Sequence, residues 1–184
     1  MTQTITRITE FDASHRIMNE KMKCFNQHGH RYVTHLTFSF DQMEEIGYAI
    51  DFKEIKRVGC QWIDDMLDHA AIYNPKDIDF IEPCIKHHTK LWLMSLNGQG
   101  EYCNPSVENI AKEVFLAMKV LFEDYKGLEI SEVVMYETPN CYTKCTSNSI
   151  SVTEYNNWKH VNYEKVKKYA EEKGIIEYDD RKIK

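Results

Sequence analysis

The alternation of apolar and polar residues along the chain predicts most of its elements. Thr2 to His15 is rich in Thr and Ile, holds no Gly or Pro, and gives way to turn-like composition only at Met18 to Asn26, so it reads as a strand. From His28 to Phe40 the period is two: His28, His30, Tyr32, Thr34, Leu36, Phe38 and Phe40 share one face, and Gly29, Arg31, Val33, His35, Thr37 and Ser39 the other. Asp51-Phe52-Lys53-Glu54 has the spacing of a capping box. Behind it Phe52, Ile55, Gly59, Trp62, Ile63 and Met66 recur at helical intervals, which predicts a helix to about Leu67 that ends near Asp68-His69. A second helix is predicted after Asn104-Pro105, with Asn at the cap, Pro in the first turn and a stripe of Val107, Ile110, Ala111, Val114, Met118 and Leu121. Glu129 to Tyr136 alternates again, and Ile150 to Tyr155 reads as a fourth strand behind a turn region at Asn140 to Cys145.

The order strand, strand, helix, helix, strand, strand predicts an α+β sheet with its helices packed on one face. Two segments stand outside this pattern. Residues 74–103 read as an insertion with an extra helix around Glu82 to Leu96, and residues 156–184 as a polar tail with one weak helix around Tyr163 to Glu172. With 184 residues the chain suits one domain, here residues 1–155, plus that tail.

Charge and cysteine usage narrow the class of partner. A net charge of −6, from 23 basic and 29 acidic residues, argues against a protein built to grip a phosphate backbone, so no nucleic acid is expected. No apolar run approaches the roughly 18 residues a membrane span needs, and Met1-Thr2-Gln3-Thr4 has no basic start followed by an apolar stretch; the expectation is a cytoplasmic protein with no membrane partner. Six scattered cysteines in so apolar a chain read as reduced thiols.

The chemistry concentrates in the histidines. His28 and His30 sit at i and i+2 of a strand, so both imidazoles point to one face and reach one ion, while Gly29 between them presents no side chain. His15, at the end of the preceding strand, supplies a third imidazole if the two strands pair antiparallel across residues 16–27. Three imidazoles suit zinc and leave a fourth position for water or substrate, as catalytic zinc sites do. A single strand histidine is more often a surface or core residue, and it is the third, well-placed ring that makes the case. A rival structural site would draw on Cys141 and Cys145 with Cys84 or Cys103, although their spacing lacks the paired CxxC signature.

Cys24 lies four residues before His28. A thiol held near a dication and imidazoles has its thiolate stabilised, which suits a base or nucleophile; an ordinary loop cysteine and a fourth zinc ligand are the alternatives. Asp68-His69 places a carboxylate beside an imidazole, a pair that helix ends also favour for dipole and solvation reasons. Glu137, before Thr138-Pro139 at a strand end, offers a carboxylate that can accept paired N–H bonds from a guanidine-like heterocycle edge. His87-His88 in the insertion reads mainly as a solvated helix face.

Six blocks in order, Phe11-Asp12-Ala13-Ser14-His15-Arg16, Cys24-x-x-x-His28-Gly29-His30, Gly47-Tyr48-Ala49-Ile50-Asp51-Phe52, Leu67-Asp68-His69, Pro105-Ser106-Val107-Glu108-Asn109 and Glu137-Thr138, resemble the 6-pyruvoyl-tetrahydropterin and 6-carboxy-tetrahydropterin synthase family over about residues 5 to 154. The three residues between Cys24 and His28 resemble the bacterial carboxy-type enzymes of the queuosine and 7-deazaguanine pathway; pyruvoyl-type enzymes usually have five. The resemblance implies the tunnelling fold, a four-stranded antiparallel sheet with two helices between the second and third strands, and a homo-oligomer with active sites between subunits. It implies zinc on His15, His28 and His30, Cys24 as general base, and Asp68 and His69 assisting proton transfer from a neighbouring subunit. Glu137 would anchor the pterin ring, with Ser106 and Glu108 near it. The implied reaction is that of a lyase converting 7,8-dihydroneopterin triphosphate to 6-carboxy-5,6,7,8-tetrahydropterin with release of acetaldehyde and triphosphate and no redox cofactor. The alternatives are the pyruvoyl synthase reaction, which eliminates triphosphate only, and a non-catalytic pterin-binding module stabilised by zinc.

Overall fold

Thirteen residues each of β1 (Gln3–His15) and β2 (His28–Phe40) pair antiparallel without interruption, from Gln3 opposite Phe40 to His15 opposite His28. The structure, a computed structural model, describes residues 3–19, 21–97 and 103–174. Along β2 the residues from Tyr32 to Phe40 on the even-numbered face are buried, as are Phe11 and Ala13 on β1, while the alternating positions are half-exposed or exposed. The histidines therefore stand where the core-facing stripe of the ribbon runs out, at the end closed by the 16–27 connection.

The sheet has six strands in the order β4-β3-β1-β2-β5-β6, not four. β5 (Leu128–Thr138) pairs antiparallel with β2, with a register shift at Thr37/Phe38, and β6 (Cys141–Cys145) pairs antiparallel with β5. On the other edge β3 (Ala71–Tyr73) runs parallel to β1, and β4 (Leu91–Leu93) parallel to β3, so the sheet is mixed. Both added strands come from residues just before and within the segment read as an insertion. The helix expected around 82–96 is α3 (Ile78–Lys86); it stops at His87-His88, where His88 takes φ 54°, and Leu91-Trp92-Leu93 leaves as an edge strand.

The fourth antiparallel strand is the expected turn at 141–145, and the expected strand at 150–155 is the first turn of α5 (Val152–Lys173). Two local signals explain the exchange. Ser151 and Glu154 form a capping box, the Ser hydroxyl accepting from the Glu154 N–H at 3.2 Å and the Glu carboxylate from the Ser151 N–H at 2.8 Å. Pro139 and Asn140 supply the turn, which leaves Cys141 to Cys145 free of breakers. The weak helix expected at 163–172 is the second half of α5.

The helix after β2 runs as α1 (Phe52–Ile55), a π segment (Lys56–Cys60) and α2 (Gln61–Met66), and ends at Asp68-His69 as expected. Asp51 caps it, but its carboxylate takes the Lys53 N–H, and Glu54 turns inward to Arg57 and to the Tyr125 hydroxyl. α4 (Val107–Leu121) is capped by Ser106, not Asn104. Its whole predicted stripe is buried, and so is most of its other face, because α5 lies against it with Trp158 and Val166 in the core. A buried Lys112–Glu154 ion pair (2.6 Å) ties the two helices, and Arg57 donates to the carbonyls of Lys173 and Gly174 at the end of α5. No helix among the described residues is long and apolar enough to cross a membrane.

Candidate metal centre

The ribbon register brings the three expected histidines together. His15 lies opposite His28, His30 is two residues along on the same face, and one ring nitrogen from each lies within 4.8 Å of the others. Gly29 is needed here for space: a Cβ would sit 3.1 Å from the Ala13 carbonyl oxygen, inside the pairing that sets the triad.

Hydrogen bonds on the far side of two rings set which nitrogen is offered. His15 Nδ1 lies 2.7 Å from the Pro105 carbonyl oxygen, and His28 Nδ1 lies 2.8 Å from that of Asn26. A carbonyl can only accept, so each Nδ1 carries the proton and each Nε2 presents its lone pair. His15 Nε2 is buried without a hydrogen-bond partner, an orphaned acceptor of the kind a cation resolves. Burial, with smaller repulsion from His28 and His30, pushes the His15 imidazole down to about 4, against the opposing effect of its bond to Pro105. Burial lowers His30 as well, with Glu137 opposing. Both rings are therefore neutral near pH 7, the form that binds metal. The donor set, tautomers and desolvation all fit zinc.

Glu137, at the end of β5, reaches the same corner: its Oε1 is 3.6 Å from His15 Nε2 and 3.9 Å from His30 Nε2. The Tyr32 ring packs edge-on to His15 and His30 beneath them, and its buried hydroxyl has no hydrogen-bond partner. Cys24 sits exposed in a single 3₁₀ turn (Lys23–Phe25) of the loop between the ligand strands, outside the clustered triad.

Asp68 and His69 form a separate group. His69 Nδ1 lies 2.5 Å from Asp68 Oδ2, Asp68 Oδ1 accepts the Asp12 N–H at 2.8 Å, and the His69 N–H donates to the Asp12 carbonyl at 2.6 Å. His69 adopts φ 58°, a left-handed conformation costly for a residue with a Cβ and held here by that bond to the edge of β1. It lines a hollow with Asp12 and Arg31, whose side chains alternate with the ligand positions and so leave the opposite face of the ribbon. Arg31 and Asp12 pair there through two hydrogen bonds of 3.0 and 2.9 Å.

Ser106 spends its hydroxyl on the cap of α4, and Glu108 lines a hollow with Lys112, Lys144 and Ser149, away from the triad. Among the described residues His15, His28 and His30 are the single metal-capable cluster. Cys84, Cys103, Cys141 and Cys145 do not gather, and neither does His87-His88. The Pro105 carbonyl, which orients His15, escapes sequence reading because a backbone oxygen has no residue signature; its only hint was the Pro-Ser block before α4.

The sequence profile described as 6-pyruvoyl tetrahydropterin synthase matches residues 4–148. A 6-carboxy-5,6,7,8-tetrahydropterin synthase of Rickettsia bellii is 37% identical over 146 residues, covering 76% of this chain and 96% of that protein. An uncharacterised protein of Wolinella succinogenes superposes with a TM-score of 0.63 at 16% identity, covering 80% of this chain and 99% of that one. The Caenorhabditis elegans 6-pyruvoyl tetrahydropterin synthase superposes with a TM-score of 0.57 at 21% identity, over 80% and 96% of the two chains. The fold is thus shared with these structures, and the chain belongs to the 6-pyruvoyl tetrahydropterin synthase family, with bacterial 6-carboxy-tetrahydropterin synthases among its relatives.

Proposed function

We propose that this pterin-processing family member is a zinc-dependent lyase that converts 7,8-dihydroneopterin triphosphate and water to 6-carboxy-5,6,7,8-tetrahydropterin, acetaldehyde and triphosphate. The observation that carries the reading is the triad: three imidazoles gather with one ring nitrogen from each within 4.8 Å of the others, and the most buried of them has an unpartnered Nε2. The three-residue gap between Cys24 and His28 and the name of the 37% identical relative favour the carboxy product.

His15, His28 and His30 would hold the zinc ion, which when bound would supply a Lewis acid and a template for the hydroxylated side chain of the substrate. The protein's own residues do the rest. Glu137, beside His15 and His30, accepts the paired N–H groups of the 2-aminopyrimidine edge and so fixes the ring relative to the triad. Cys24, on the loop between the ligand strands, takes a proton from the side-chain carbon. His69, held by Asp68, returns protons to carbon or oxygen. Asp12 and Arg31, which share the His69 hollow, stand on the face of the ribbon opposite the ligand positions, and this supports a reading in which the step draws on Asp68 and His69 of a second copy in a homo-oligomer.

The test is product analysis. The zinc-loaded protein incubated with dihydroneopterin triphosphate is expected to release acetaldehyde and triphosphate in equal amounts. Triphosphate with a pyruvoyl pterin and no acetaldehyde would move the assignment to the pyruvoyl reaction; neither product would leave a binding module.

A further inference from the structure

Residues 21–27 of the Cys24 loop are exposed, so burial gives the loop little order of its own. What holds it comes from residues 74–105. The Arg16 guanidinium, in a residue only 9% exposed, donates Nε to Asp77 Oδ2 (2.5 Å) and Nη2 to Asp77 Oδ1 (2.9 Å), a bidentate pair out of solvent. Its guanidinium carbon lies over the rings of Phe80 (4.0 Å to the centroid) and Phe25 (4.6 Å), and Nη1 reaches the Phe25 carbonyl at 3.4 Å. Phe25 follows Cys24 directly, and the Cys24 carbonyl accepts the Ile17 N–H at 2.8 Å.

A second tether pins the other arm of the loop. Asn104 accepts the Met18 N–H at 3.1 Å and donates to the Met18 carbonyl at 3.0 Å, while Asn74 donates to Asn104 at 3.2 Å and accepts the Asp77 N–H through its carbonyl at 2.9 Å. The next residue, Pro105, orients His15. One segment thus registers both the thiol loop and a metal ligand.

We propose that Arg16 and Asp77 are a positioning pair that holds Cys24 at its working distance from the triad, with Asn74, Phe80 and Asn104 as their support. This rests on the reading of Cys24 as the proton-transferring thiol. Arg16 acts through the loop and not on substrate, so its effect must vanish when the thiol is absent.

The experiment compares Arg16→Lys and Asp77→Asn, each alone and combined with Cys24→Ala, with Phe80→Leu as a third variant should either fail to fold. Lys cannot form the bidentate contact, and Asn keeps the shape of Asp without its charge. Expected are about tenfold faster amide hydrogen exchange confined to residues 17–27, unchanged zinc content, and kcat lower by about 10²-fold at nearly constant KM, the scale of a small misplacement of a reacting group. On the Cys24→Ala background the same changes should cost no further turnover. Unchanged loop exchange, or losses that multiply with that of Cys24→Ala, would overturn the proposal. If Cys24→Ala alone kept full turnover, the thiol's assigned role would fail, and loop exchange by itself would decide whether the pair holds the loop.

Discussion

The two faces of one ribbon end carry different chemistries. On the core side His15, His28 and His30 converge, half-buried or buried, with two ring protons committed to backbone carbonyls. On the other side, from alternating residues, Asp12, Arg31, Asp68 and His69 form an ionic cluster in which the His69 side chain is 79% exposed. The core face is organised in advance for a cation, because desolvation and fixed tautomers are already in place. The outer face depends on exposed charges that water screens, so it becomes a defined site only when something covers it. A period of two residues is what lets a stretch this short present both.

Replacing a ligand should break the comparison most strongly. His15→Ala or His28→Ala is expected to weaken zinc binding by more than the ~10–100-fold that loss of an outer-shell partner costs. Asp68→Asn should leave the metal content of the purified protein unchanged; equal zinc loss in both variants would dissolve the distinction between the faces. Next, Cys24→Ala should retain zinc and lower turnover by ~100-fold, the scale for losing a general base, measured in a steady-state assay for acetaldehyde.

The pattern of what the sequence revealed follows the same logic. β1, β2 and the triad were legible because alternation is local and a hairpin-like register followed from it. β3 and β4 were not, because three-residue parallel strands exist only through their neighbours. The Ser151–Glu154 capping box falls inside the Ile150 to Tyr155 stretch that reads as a strand, so the first turn of α5 escapes the pattern while its second half, around 163–172, is legible as a weak helix. Within the site, the pairing of Arg16 with Asp77 spans 61 positions of sequence and rests on topology alone.

Stability against pH sharpens the account from another side. His15 is held down to about 4 in the fold against 6.5, so its contribution to the stability of the metal-free protein is present above pH 6.5 and is lost as pH falls through about 4. Glu113, wholly buried in α4, runs the other way. Desolvation pushes it up to about 7 from 4.5, despite hydrogen bonds from the Ser95 N–H and hydroxyl. Its contribution is full below pH 4.5 and is lost as pH rises through about 7, with a slope approaching ~1.4 kcal/mol per pH unit. Urea unfolding at a series of pH values should show Glu113→Gln flattening the high-pH arm and His15→Phe the low-pH arm. The smallest effect belongs to the outer face: Arg31→Ala should leave both the unfolding midpoint and the zinc content unchanged, since its partner Asp12 is open to solvent.

The most direct test is an anomalous-scattering map from crystals grown with zinc. The account predicts one ion at about 2.0–2.1 Å from Nε2 of His15, His28 and His30, with its remaining position free of protein atoms. Rings directed away from a common point, or an ion whose fourth position is closed by Cys24 or Glu137, would contradict it.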